Sequence, residues 1–221
     1  MKYPSPYGDR QIPMTCLAAV ILAGGRSSRM GHDKALISLG AETLIERTCG
    51  VALACAEAVY VVTPWPQRYA ALLPASVNFV VEQPAREPPG SPPGPVVALV
   101  QVLEEFQSKP ETRPEWVLLL ACDMPSLSAP VLSTWRQGLA ALPPSALAYL
   151  PQRQGRWEPL CGFYRAAALD NLRQYVSTGG RSFQPWLNQR SVVPIALTAE
   201  TVGMLANLNT PADLAQWQEQ M

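Results

Sequence analysis

A run of apolar residues, Leu17 to Ala23, stops abruptly at two adjacent glycines, Gly24 and Gly25, and this junction limits the fold more than any other stretch. An apolar run of that length, bounded by a turn signal, reads as a strand buried on both faces. The glycines let backbone N–H groups turn toward a ligand with no Cβ in the way. A short polar loop follows, carrying Arg26, Arg29 and Lys34. Cations spaced along a glycine loop suit a polyanion lying across it, so the junction points to phosphate.

Other glycine loops do not fit these residues. A P-loop needs Gly-Lys followed by Ser or Thr, whereas Gly31 is followed by His32 and Lys34 by Ala35. The dinucleotide fingerprint needs three glycines at G-x-G-x-x-G spacing, which Gly24, Gly25 and Gly31 do not supply. The loop lysine stands out because Lys2, Lys34 and Lys109 are the only lysines of 221 residues. Lys+Arg and Asp+Glu balance at 17 each, which gives no net basic field for nucleic acid or a membrane surface. No apolar run reaches the length of a bilayer span. Five cysteines, an odd number without a C-x-x-C pair, argue for a reduced, cytoplasmic protein rather than a disulfide or zinc scaffold.

Taken in order, residues 1–15 are polar and read as a flexible N-terminal extension; residues 16–221 read as a single domain. Leu44, Ile45, Thr48, Val51 and Ala52 fall at helical spacing behind a capping box, Thr43 to Glu46. Val59–Val62 and Val77–Glu82 read as strands, with a short helix over Pro66–Leu73 between them. Residues 83–95 hold six prolines and two glycines and admit neither strand nor helix, which leaves a stiff linker or a loop over the ligand. Pro95 suits the first position of a helix reaching Phe106. Trp116–Cys122 is the most hydrophobic strand, and Asp123-Met124-Pro125 ends it. Ser128 reads as a helix cap, and the helix runs to about Leu142. Strands are expected at Leu147–Leu150, Glu158–Tyr164 and, at the edge, Val192–Leu197. Helices are expected over Ala166–Val176 and from Pro211, with Thr210 as cap. Strands alternating with helices predict an α/β fold with a mainly parallel central sheet.

On such a sheet a carboxylate at the C-terminal end of a central strand lies where ligands bind. Were the polyanion a nucleoside triphosphate, attack on its α-phosphorus would need its charge neutralised and the attacking oxygen held in line. Asp123 is the expected ligand for Mg2+, which is held by one or two carboxylates together with phosphate oxygens. Lys34 is expected along the phosphates as a point charge. Arg29 either shares that role or pairs with Asp33. His32, the only histidine, receives no role.

Leu22 to Lys34 resembles the signature L-x-G-G-x-x-x-R-M-G-x-x-K of nucleotidyltransferases, and within it the Leu22-Ala23-Gly24-Gly25 block most resembles the molybdenum cofactor guanylyltransferases. Gly94-Pro95, Cys122 to Pro125, Glu158 to Tyr164 and Asn207 to Pro211 continue the resemblance along nearly the whole chain. It implies a three-layer, Rossmann-like nucleotidyltransferase fold and transfer of GMP from Mg-GTP to the terminal phosphate of molybdenum-molybdopterin. It also implies a molybdopterin-delivery protein as a partner. Carried over residue by residue, Leu22, Ala23, Gly24, Gly25 and Lys34 contact the nucleotide, and Asp123 binds the metal. Arg181, in Gly180-Arg181-Ser182, is expected to meet the pterin phosphate, while Asn207 and Asn209 serve the acceptor or a second metal.

Two positions depart from the family pattern. Gln83 stands where an aspartate that helps to hold guanosine is usual, unless Glu82 takes its place. Ala98 stands where a glycine is usual. Three other readings remain: a CTP-dependent molybdopterin cytidylyltransferase, a sugar-phosphate nucleotidyltransferase, and a noncatalytic nucleotide- or partner-binding domain. Sister cytidylyltransferases favour alanine at the position of Gly24, so the glycine pair leans toward a purine.

Overall fold

The computed structural model describes residues 16–24, 33–83, 94–109, 111 and 113–219. The expectations for residues 1–15, for Gly25 and Arg29 and for most of the proline-rich stretch lie outside the described residues. Among the described residues eight strands make one sheet: β1 (Leu17–Leu22), β2 (Ala58–Thr63), β3 (Val77–Val81), β4 (Trp116–Ala121), β5 (Ala148–Arg153), β6 (Arg156–Trp157), β7 (Cys161–Arg165) and β8 (Val192–Ile195). Their order is β3-β2-β1-β4-β7-β5-β6, and β8 pairs with β5. β3, β2, β1 and β4 run parallel, β7 is antiparallel to both β4 and β5, and β8 runs parallel to β5.

The central strands are apolar throughout because both faces of the sheet are covered. Along β1, Leu17, Ala19 and Ile21 join one core, while Ala18 and Val20 join the other. β4 divides in the same way, Trp116, Leu118 and Leu120 against Val117 and Leu119. The first core is closed by α1 (Leu44–Cys55) and α3 (Ala129–Gln137) through Ile45, Cys49, Leu132 and Trp135. The second is closed by α2 (Pro95–Gln107), α4 (Leu169–Ser177) and α5 (Phe183–Leu187) through Leu99, Leu103, Leu172 and Trp186. Two short helices, α6 (Ala199–Met204) and α7 (Pro211–Glu219), complete the chain. The result is three layers, as expected. No helix among the described residues is long and apolar enough to cross a membrane.

The capping box is present: Thr43 Oγ1 accepts from Glu46 N–H, and Glu46 Oε2 accepts from Thr43 N–H at 2.8 Å. Several expected elements are shorter or divided. The helix expected over Pro66–Leu73 is one 3-10 turn, Pro66–Arg68. Ser128 precedes α3 without a side-chain cap bond. The strand expected from Glu158 begins at Cys161, because residues 156–157 turn back to pair with β5 as β6. The Gln154-Gly155 pair makes that reversal, with φ of 51° and 76°.

Candidate nucleotide site

β1 delivers its last residues to the carboxyl edge of the parallel strands. Ala23 N–H continues the ladder by donating to Val62 O at 2.9 Å. Asp33 caps a 3-10 turn, Lys34–Leu36, with Oδ1 accepting from Ala35 N–H at 3.2 Å. The fully buried Tyr69 connects the two ends. Its hydroxyl donates to Asp33 Oδ2 at 2.7 Å and lies 3.4 Å from Ala23 O. Burial and the neighbouring Asp33 carboxylate push the Tyr69 phenol up, so it remains a donor. Arg68 also bonds Asp33 Oδ2, at 3.3 Å, while its guanidinium lies 4.2 Å over the Trp65 ring. In the sequence Asp33 enters only as a candidate partner of Arg29, and Arg68 and Tyr69 do not stand out.

β4 ends at Ala121, and the turn that follows presents Asp123. Three contacts brace this turn. Leu208 N–H donates to Asp123 O at 2.8 Å, Trp217 Nε1 donates to Ser126 Oγ at 3.1 Å, and Arg47 Nε donates to Pro125 O. Burial, with a contribution from the Asp123 carboxylate, pushes the adjacent Cys122 thiol up to about 12, so it stays protonated and is no nucleophile at neutral pH.

Lys34 and Asp123, far apart in sequence, meet at this edge. Lys34 Nζ lies 3.3 Å from Asp123 Oδ2, and the pair is about one-fifth exposed. The same ammonium donates to Asn209 Oδ1 at 2.8 Å. Asn209 is fixed in turn, because its own N–H and that of Thr210 donate to Asp213 Oδ2 at 2.7 and 2.8 Å. One carboxylate oxygen and one amide oxygen therefore converge on a single cation. Among the described residues no group of three or more His, Cys, Asp or Glu could hold a metal. Two hard oxygens suit Mg2+, which draws its remaining ligands from phosphate and water.

Gly24 lies beside Glu82. A Cβ on Gly24 would stand 2.2 Å from Glu82 Oε2 and 3.3 Å from Pro64 Cδ, so only glycine fits against that carboxylate as it lies. Burial raises the Glu82 pKa, and its carboxylate meets no hydrogen-bond donor among the described residues. Gln83, by contrast, is tied by its backbone to α2: Gln101 Oε1 accepts from Gln83 N–H at 3.2 Å and Gln101 Nε2 donates to Gln83 O at 3.4 Å. Among the described residues the carboxylate lying against Gly24 is that of Glu82, one residue before Gln83.

The remaining sequence candidates are Arg181, Ser182, Asn207 and Asn209. Gly94 takes φ +83°, and a Cβ there would stand 3.1 Å from Arg181 O, so the Gly180-Arg181-Ser182 loop packs against the start of α2. Arg181 is exposed, and its Nη1 donates to Val176 O and Gly180 O at 3.1 and 2.9 Å. Ser182 accepts the Tyr175 hydroxyl at its carbonyl, at 2.8 Å. Asn207 is exposed in the loop before α7. Asn209, a candidate for the acceptor side or a second metal, accepts from Lys34 Nζ.

Residues 19–193 match the profile of the MobA-like NTP transferase domain. A "probable molybdenum cofactor guanylyltransferase" of Nostoc sp. is 45% identical over 202 residues, spanning 91% of this chain and 90% of the relative. One with the same description from Synechococcus elongatus is 40% identical over 201 residues, spanning 91% and 96%. Among solved structures, molybdopterin-guanine dinucleotide biosynthesis protein A of Archaeoglobus fulgidus superposes with a TM-score of 0.70 at 21% identity, over 91% of this chain and 97% of that one. At that identity the superposition speaks for the fold.

Proposed function

The chain belongs to the MobA-like NTP transferase family, and from that premise we propose that it is a molybdenum cofactor guanylyltransferase, moving GMP from GTP to the terminal phosphate of molybdenum-molybdopterin. An oxygen of that phosphate attacks the α-phosphorus. The bond from the α-phosphorus to the bridging oxygen breaks, and pyrophosphate leaves. The observation that carries the reading is the convergence of Lys34, Asp123 and Asn209 at the carboxyl edge of β1 and β4.

Nucleotidyltransferases of this kind use a divalent metal, and Mg2+ fits Asp123 with Asn209. When bound, it neutralises the triphosphate and polarises the phosphoryl oxygens. Backbone N–H groups of the loop from Leu22 to Gly25 take the phosphates, and Lys34 follows the charge that develops on them. Arg29 adds a second cation in the same loop. Glu82 offers a carboxylate that can accept two parallel hydrogen bonds, the pattern guanine presents through N1–H and its exocyclic amine. Arg181 and Ser182 serve the pterin phosphate, with Asn207 nearby in the chain to Asn209.

The test is incubation of the purified protein with molybdenum-molybdopterin and each NTP in turn, measuring pyrophosphate. GTP with Mg2+ should be the productive pair, chelation should stop the reaction, and Asp123→Ala should abolish it with the fold intact. Lys34→Ala should slow it by about 10²- to 10³-fold, the scale of one lost contact to a charged transition state. Preference for CTP would assign the cytidylyltransferase reaction instead, and turnover of no NTP would refute transferase activity.

A further inference from the structure

We propose that Lys34 is the gate of the metal position: its ammonium stands between Asp123 Oδ2 and Asn209 Oδ1, in the metal's place, and it leaves when a triphosphate arrives. This rests on Asp123 and Asn209 being the metal's protein ligands. The two oxygens are mounted on fixed backbone. Leu208 N–H holds the Asp123 carbonyl, and the Asp213 carboxylate holds the amides of Asn209 and Thr210. Thr210 Oγ1 completes that cap by accepting from Asp213 N–H at 3.2 Å.

The cation, by contrast, is carried on the longest flexible stem in the site. The Asp33 carboxylate just before it is held by Tyr69 and Arg68 and caps the Lys34 turn through Ala35 N–H, but four methylene groups separate the Lys34 backbone from the charge. A partly exposed ion pair is weak, so the resting arrangement is easily left. A triphosphate supplies several anionic oxygens to draw the ammonium away, and Asp123 and Asn209 then face an incoming metal with no cation between them. A divalent metal arriving alone meets both an occupied oxygen pair and a positive charge. Metal and nucleotide are thereby admitted together, and Asn209 acts as a positioning residue for Lys34 in one state and as a ligand in the other.

The experiment is a titration of nucleotide-free protein with Mn2+, following the free ion by its magnetic resonance signal. Lys34→Met should bind Mn2+ about tenfold more tightly than wild type, the factor expected from removing one charge at about 6 Å from a divalent ion in water-like surroundings. Lys34→Gln should behave alike, which guards against a folding defect peculiar to one variant. Adding Asn209→Ala to Lys34→Met should lose the gain, since the second oxygen is gone. An affinity for Lys34→Met within twofold of wild type would overturn the proposal. So would a gain that survives Asn209→Ala. A salt bridge of purely structural importance would lower the melting temperature of Lys34→Met and leave the Mn2+ affinity alone. No GTP or pterin enters the titration, so its outcome is separate from the nucleotide preference measured above.

Discussion

Replacing Gly24 by alanine places a methyl carbon where the Glu82 carboxylate already lies. The added Cβ would stand 2.2 Å from Oε2 and 3.0 Å from Cδ, with Pro64 Cδ at 3.3 Å on another side. Carbon contacts are comfortable at about 3.5 Å, so the carboxylate must retreat by more than about 1 Å. It is the far end of a flexible side chain, and burial already disfavours its charge. Rotation toward water therefore relieves one cost while avoiding another. Stability should fall by about 1 kcal/mol, the low end for overpacking, which is about 2–4 °C in melting temperature for a chain of this size.

Activity should fall further. If Glu82 reads guanine, its displacement removes hydrogen bonds to a charged acceptor, together about 1.5–3 kcal/mol, or roughly 10- to 150-fold in kcat/KM for GTP. Use of CTP should be unaffected. The assay compares kcat/KM for both nucleotides, with thermal melts, across Gly24→Ala, Glu82→Ala and the double variant. Both substitutions act by removing one carboxylate from one place, so the double variant should be no worse with GTP than Glu82→Ala alone. Fully additive losses, or an unchanged GTP rate in Gly24→Ala, would refute the reasoning.

Tyr69→Phe removes the hydroxyl that joins Asp33 to Ala23 while keeping the ring packed. It should cost about 1–2 kcal/mol of stability and raise the KM for GTP several-fold, and a melt with initial-rate kinetics checks both. Glu82→Gln should change how stability depends on pH. Because the carboxyl titrates higher in the folded chain, the folded state binds more protons there and stability falls as pH rises through that pKa. The variant should melt above wild type at pH 8, and the difference should vanish below the ordinary value of 4.5, where both forms are neutral.

The parallel half of the sheet was legible in the sequence because its strands are apolar on both faces, and Pro64 and Pro125 mark where β2 and the turn after β4 must stop. The Thr43–Glu46 box was legible because both halves of the cap lie within one turn. The same logic explains what was not. α6 is capped by Thr198 and Thr201, which lack the acidic third residue that signals a box, although Thr201 Oγ1 accepts from Thr198 N–H at 2.7 Å. β6 depends on a Gln154-Gly155 turn, a weaker cue than Asn-Gly. Tyr69 reads as one apolar position in a short helix, and only tertiary packing brings its hydroxyl to Asp33. Side-chain alternation makes the choice between Glu82 and Gln83 a matter of one residue. Glu82 N–H extends the ladder to Thr63 O at 3.0 Å, and it is Glu82 whose carboxylate then lies at Gly24. The Lys34–Asn209 contact spans 175 residues and depends on where the chain returns after α6. The hidden contacts of the site, Tyr69 to Asp33, Glu82 beside Gly24 and Lys34 to Asn209, each join separate elements. Local pattern identifies the groups that carry charge there. Which oxygen a lysine rests on is decided by the braces beneath it, here Leu208 on Asp123 and Asp213 on Asn209, and those braces are long-range or peculiar to one turn.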